Sequence, residues 1–128
     1  MPEREVVKTD SAPSAIGPYS QGIRAAGLLF VSGQIPLDPA TGEMVSGDIA
    51  AQVRRVLENL KGILQAGGSG LDRVLRITVY LSDLGEFPQM NEVYREYFAD
   101  RPPARSTIGV AALPRGARVE IDAIALLG

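Results

Sequence analysis

Two rhythms of apolar and polar residues run along the chain. Residues 49, 53, 56, 57, 60, 63 and 64 are apolar at helical spacing. That spacing predicts a helix with one buried face. Asp48 stands before it as an N-cap, and Gly67-Gly68 closes it with left-handed backbone. Arg54, Arg55, Glu58, Asn59, Lys61 and Gln65 cover the opposite face. Residues 74–81 instead alternate with a period of two. Leu75, Ile77, Val79 and Leu81 take one face of a strand, and Val74, Arg76, Thr78 and Tyr80 the other. Residues 85–100 form a second helix, with Phe87, Met90, Val93, Tyr94, Tyr97 and Phe98 inward. Pro88 fits its first turn, and Arg101-Pro102-Pro103 stops it.

Shorter segments complete the pattern. Residues 5–9 suit an edge strand. Residues 19–25 and 28–34 form two strands joined by Ala26-Gly27, a short hairpin signal, and residues 38–42 form a turn. Residues 105–113 and 118–127 are the last two strands, joined by Leu113-Pro114-Arg115-Gly116. The order is that of an α+β fold: a sheet of five or six strands with two helices on one face, in a single domain over residues 1–128. Two helices cover only one face of such a sheet. Leu28-Leu29-Phe30-Val31 and residues 108–113 are nonetheless apolar on both faces, where a half-exposed antiparallel strand should alternate. The bare face is therefore expected to meet another subunit.

Composition narrows the chemistry. The 128 residues are 45% hydrophobic and 22% charged, with a net charge of −2. No basic footprint of a nucleic-acid binder appears in these totals. The chain has no Cys and no His, so thiolate nucleophiles, Cys-based metal sites and every triad or metal site built on imidazole are excluded. The start, Met1-Pro2-Glu3-Arg4-Glu5, is charged rather than signal-like, and no apolar run is long enough to span a membrane. A soluble, cytoplasmic protein is expected, with no membrane partner.

Several motifs have ordinary explanations. Gly67-Gly68-Ser69-Gly70 follows a helix and lacks the Gly-Lys-Ser/Thr ending of a phosphate loop, so it reads as a cap. Asp38, Thr41, Glu43 and Asp48 do not match calcium-loop spacing and read as a surface turn. Arg54-Arg55 reads as a solvated helix face. Three features fit that ordinary picture less well. Arg105 opens a strand after Pro102-Pro103-Ala104, and its planar fork suits a carboxylate; an edge-strand Arg paired to a nearby Glu or Asp is the plainer reading. Glu120 and Asp122 share one strand face, opposite Val119 and Ile121, and so point to the bare face. A carboxylate buried there needs a partner or a raised pKa, and Arg115 and Arg118 are candidate partners. Ser32-Gly33-Gln34 interrupts an apolar strand, and a strand Gly often marks close approach by a ligand or another backbone. Tyr19 can aim its hydroxyl into the same space.

Five segments together resemble the reactive intermediate deaminase (Rid, or YjgF) family nearly end to end. They are Ala15-Ile16-Gly17-Pro18-Tyr19-Ser20-Gln21, Val31-Ser32-Gly33-Gln34-Ile35-Pro36, Met90-Asn91-Glu92-Val93-Tyr94, Pro103-Ala104-Arg105-Ser106 and Val119-Glu120-Ile121-Asp122-Ala123. The resemblance implies a chorismate-mutase-like α+β fold assembled as a homotrimer with clefts between subunits. It implies cofactor-free hydrolysis of enamines and imines such as 2-aminoacrylate to a 2-keto acid and ammonia. Arg105 then resembles the group that holds the substrate carboxylate, and Glu120 the one that positions the attacking water. Tyr19, Ser32, Gly33 and Asn91 resemble pocket residues, and Thr107 stands where many members have Cys. No metal is implied, and Asp122 has no assigned role. Two rivals are a non-catalytic module binding small carboxylates and an RNA-cleaving protein. The acidic balance, 5% aromatic content and missing His weigh against the second.

Overall fold

Period-two alternation builds one sheet, and the two amphipathic segments cover one side of it. A computed structural model describes residues 3–128, so Met1 and Pro2 of the charged start lie outside the described residues. The strands are β1 (Glu5–Val7), β2 (Gly22–Ala25), β3 (Leu28–Gln34), β4 (Val74–Leu81), β5 (Ala104–Gly109) and β6 (Val119–Leu126). The helices are α1 (Ile49–Ala66) and α2 (Phe87–Tyr97). The six strands lie in the order β1-β2-β3-β6-β4-β5. All neighbours are antiparallel except β4 and β5, which are parallel and joined through α2. Parallel neighbours need such a crossover, because a tight turn reverses the chain. The α+β arrangement with two helices on one face is the one expected; the parallel pair makes the sheet mixed.

The caps and turns follow local chemistry. Asp48 accepts a hydrogen bond from the Ala51 amide at 3.0 Å, satisfying one orphan donor of α1. Only Gly68 has left-handed backbone at the other end (φ +86°); Gly67 is right-handed (φ −84°). Gly67 is small for another reason: a Cβ there would come within 2.6 Å of Leu29 Cδ2. Ala26 and Gly27 both have positive φ, the hairpin geometry whose twist matches the strands it joins.

Val53, Val56, Leu57, Leu60, Ile63 and Leu64 of α1 pack with Ile77, Val79, Leu81, Val119 and Ile121 of the sheet and Met90 and Val93 of α2 in one core. Asn59 departs from the expected polar face. It is fully buried, its amide donating to Leu37 O at 2.9 Å and its carbonyl accepting from Arg55 Nε at 3.0 Å. Arg54 is more than solvated surface: it pairs with Glu96 of α2 at 2.7 Å.

Other departures have structural causes. A bulge between Val74 and Arg76 turns Val74 inward and leaves Leu75 46% exposed, reversing the expected faces at that end of β4. Residues 19–21 leave the expected strand because Gln21 turns inward and binds the preceding loop. Its carbonyl accepts from the Thr9 amide at 2.7 Å and its amide donates to Pro13 O at 2.7 Å. The last two strands are not partners, since β4 lies between them. The second helix is shorter than residues 85–100. A 3-10 turn, Leu84–Glu86, precedes it, and Phe98 caps its end. The face away from the helices exposes Phe30, Ile108 and Leu126. Among the described residues, no helix is long and apolar enough to cross a membrane.

Candidate functional site

The expected site residues fall into two groups on opposite sides of the sheet. Arg105 sits on edge strand β5, in register with buried Ile77 of β4, so its side chain leaves the sheet towards the helices. There it meets α2. Arg105 Nη1 donates to Asn91 Oδ1 at 2.8 Å. Its guanidinium carbon lies 4.5 Å from the Tyr94 ring centre and 5.5 Å from that of Phe87. Phe87, Asn91 and Tyr94 are spaced i, i+4 and i+7, which places them on one face of the helix. Rings within about 6 Å attract a cation through their electron-rich faces.

None of the ion pairs among the described residues uses Arg105, contrary to the plainer sequence reading. The guanidinium lines an open concavity of about 370 Å³ with Asn91, Tyr94, Arg95, Phe98, Pro102 and Pro103. Thr107, two residues along β5, faces the same way, and its hydroxyl is buried without a partner. The Tyr94 hydroxyl is likewise buried and unpartnered. Burial pushes the Tyr94 phenol up, and the adjacent Arg105 charge pulls it partly back.

Glu120 leaves the other side of the sheet. It lies between buried Val119 and Ile121 on β6 and in register with Tyr80 of β4. With Ile16, Tyr19, Ser32, Gly33, Ile35 and Pro114 it lines a second concavity of about 470 Å³. The bare Gly33 backbone makes room for the Glu120 carboxylate. A Cβ at this position would overlap the Glu120 carboxylate, lying 2.9 Å from Cδ. The close approach foreseen at Gly33 is thus made by a side chain of the neighbouring strand. Ser32 Oγ donates to Ser20 O at 2.6 Å, and the Tyr19 hydroxyl accepts from the Ile16 amide at 3.3 Å. Partial burial raises the Glu120 carboxyl above the ordinary glutamate value, and the Asp122 charge adds to the rise.

Neither candidate Arg pairs with these carboxylates. Arg118 is bound to Glu86, with Nε to Oε1 at 3.1 Å, and Arg115 donates to Gly42 O at 3.0 Å. Asp122 instead accepts a hydrogen bond from the Tyr80 hydroxyl at 3.0 Å. One chain therefore joins Arg105, Asn91 and Thr107 on the helix side, and Tyr19, Ser32, Gly33 and Glu120 on the open side. It does not bring the two groups together.

Comparison with known proteins decides the family. The family model described as Endoribonuclease L-PSP matches residues 9–127. The chain belongs to this family, the Rid or YjgF family. The Myxococcus xanthus protein named DfrA is 57% identical over 125 residues, covering 96% of this chain and 95% of its own. The human protein named 2-iminobutanoate/2-iminopropanoate deaminase is 44% identical over 125 residues, covering 98% of this chain and 91% of its own. A crystal structure from Thermotoga maritima superposes with a TM-score of 0.95 at 52% identity, covering 97% of this chain and 98% of that one. Proteins named as deaminases thus belong to the Rid family.

The residues that support the two Rid half-sites were the harder ones to read. Gln21 ties the loop carrying Tyr19 to residues 9–13. Gln52 accepts from the Arg118 amide at 3.2 Å, just before β6. Gln21 lies between Ser20 and Gly22, and Gln52 between Ala51 and Val53; nothing in these local patterns separates the two amides from surface residues. Among the described residues, no cluster of His, Cys, Asp and Glu could hold a metal.

Proposed function

We propose that this Rid protein hydrolyses small enamines and imines of 2-keto acids, 2-aminoacrylate among them, releasing the 2-keto acid and ammonia. We place the reaction between subunits of a homotrimer, where the Arg105 half of one chain faces the Glu120 half of its neighbour. The observation that carries this reading is Arg105: a partly buried guanidinium, oriented by two rings and an amide, with no carboxylate of its own. Such a fork, bordering an open concavity, suits a substrate carboxylate. The exposed apolar face of the sheet supports assembly, and the printed name of the human relative supports the substrate class.

The chemistry asks little beyond these groups. An iminium carbon is already electrophilic, so water attack needs only orientation and a base. Glu120 takes a proton from water as its oxygen bonds to that carbon and the C=N π pair moves to nitrogen. The protonated Glu120 returns that proton to the amine. The carbinol hydroxyl then passes its proton to the carboxylate as the C–N bond breaks, leaving the ketone and ammonia. The protonated Glu120 finally gives its proton to the departing ammonia or to solvent. No cofactor enters.

A coupled assay that generates 2-aminoacrylate tests the proposal. Added protein should accelerate formation of the keto acid above the spontaneous rate. An unchanged rate, with the protein binding a 2-keto acid, would make the cleft a binding module instead.

A further inference from the structure

We propose that Asp122, anchored by the Tyr80 hydroxyl, is a positioning residue for Glu120: its fixed negative charge sets how firmly the Glu120 carboxyl holds a transferred proton. This rests on the hydrolytic reading for its use, though not for its physical test. Glu120 and Asp122 lie two residues apart on the open face of β6, which separates their Cα atoms by about 7 Å. Tyr80 is opposite Glu120 in register, and Thr78 is opposite Asp122. The Tyr80 hydroxyl reaches diagonally across to Asp122 Oδ2 at 3.0 Å. That hydrogen bond holds the Asp122 carboxylate in place on the open face.

Asp122 is the other acid of β6 and shares the face of Glu120; Arg118 is equally near in sequence, and Arg115 follows the lining residue Pro114 but donates to Gly42 O. Ser32 and Gly33 of β3 carry no charge. On β4, Tyr80 is engaged by Asp122, and Arg76 donates to Ser106 Oγ at 2.8 Å. Arg118, which precedes β6, is committed to Glu86. Tyr19 of the lining loop has its hydroxyl at the Ile16 amide. The Glu120 carboxylate rests against bare Gly33 backbone on one side, which closes that side to it. A like charge held on the same face destabilises the Glu120 anion. The consequence suits a group that must both take and return a proton: a carboxylate too acidic would take the proton from water poorly, and one too basic would return it to nitrogen poorly.

The test compares the protein with Asp122→Asn and Tyr80→Phe. Titration of the Glu120 carboxyl carbon by NMR reads proton affinity without any substrate. The Glu120 midpoint should move to lower pH in Asp122→Asn. It should move the same way by less in Tyr80→Phe, where the freed carboxylate turns to water. In the imine assay, the acid limb of kcat/KM should shift to lower pH in step, while KM stays within about twofold. An unmoved carboxyl midpoint in an intact Asp122→Asn assembly overturns the proposal, whatever the activity. A moved midpoint in a protein without imine hydrolysis would sustain the electrostatic coupling and remove the hydrolytic reading instead.

Discussion

The two half-sites reach order by opposite means. Arg105 is held by attraction: its cation lies against the Tyr94 and Phe87 rings and is tied to Asn91. Glu120 is placed by close packing on one side, with the open concavity on the other. It fills the space that the missing Gly33 side chain leaves open, beside a like charge on Asp122. The first arrangement stabilises a charge that is always present. The second makes a charge less comfortable, and so easier to neutralise. A group that only binds a carboxylate benefits from the former, and one that exchanges protons benefits from the latter.

That contrast can be broken most severely at Arg105. Two charge-assisted hydrogen bonds contribute about 1.5–3 kcal/mol each. Arg105→Ala should therefore lower kcat/KM for imine hydrolysis by roughly 10²- to 10⁴-fold. Arg105→Lys should recover little of the loss, because an ammonium lacks the fork. Sedimentation should show the assembly unchanged. Full activity in a purified Arg105→Ala protein would remove the assignment.

Next in size is Glu120→Gln, with kcat falling on the order of 10²-fold and KM nearly constant. Refolding this variant together with Arg105→Ala tests the division of labour. Activity should return, because some neighbours then pair an intact Arg105 half with an intact Glu120 half. Mixed assemblies as inactive as the parents would place both groups in one chain's site.

A smaller effect is expected from Gly33→Ala, which pushes the Glu120 carboxylate aside without changing any charge. Misplacement by about 1 Å costs up to about 10²-fold, so steady-state kinetics should show kcat lowered by roughly ten- to a hundredfold. Unaltered kcat would mean that the close packing of Glu120 is irrelevant.

The smallest effect lies away from both halves. The Tyr97 phenol is pushed up to about 12, first by burial and then by its hydrogen bond to Glu58 at 2.7 Å. An unfolded tyrosine titrates near 10, so the fold favours the neutral form. That preference is fully present below about pH 10 and is lost as pH rises through about 12. Urea midpoints should fall over this window, and less steeply in Tyr97→Phe. At neutral pH the variant should lose about 1 kcal/mol with its hydrogen bond, leaving imine hydrolysis untouched.

Particular residues mark how far local pattern reaches. The α1 stripe from Ile49 to Leu64 was legible because helical period and burial are the same signal read twice. Asn59 interrupts that logic. It lies in a helix as a polar residue, yet residues 35 and 37 bring two carbonyls to it from far along the chain. Glu120 and Asp122 were placed on the open face correctly, since alternation fixes sides within a strand. Their partners were not, since Tyr80 reaches Asp122 only because β6 inserts beside β4. Gly33 announced a close approach, and only the register of β3 with β6 names Glu120 as what approaches.

By itself, the sequence determined the element types, the α+β class, the absence of thiol and imidazole chemistry, and which charges sit in strands. These depend on residues within a few positions of one another. Tertiary structure decided the strand order, the bulge that turns Leu75 outward, and the face from which Arg105 leaves the sheet. It alone placed Arg105 and Glu120 on opposite sides. Side-chain period fixes alternation within each strand, but only pairing across distant strands sets one strand's faces against another's.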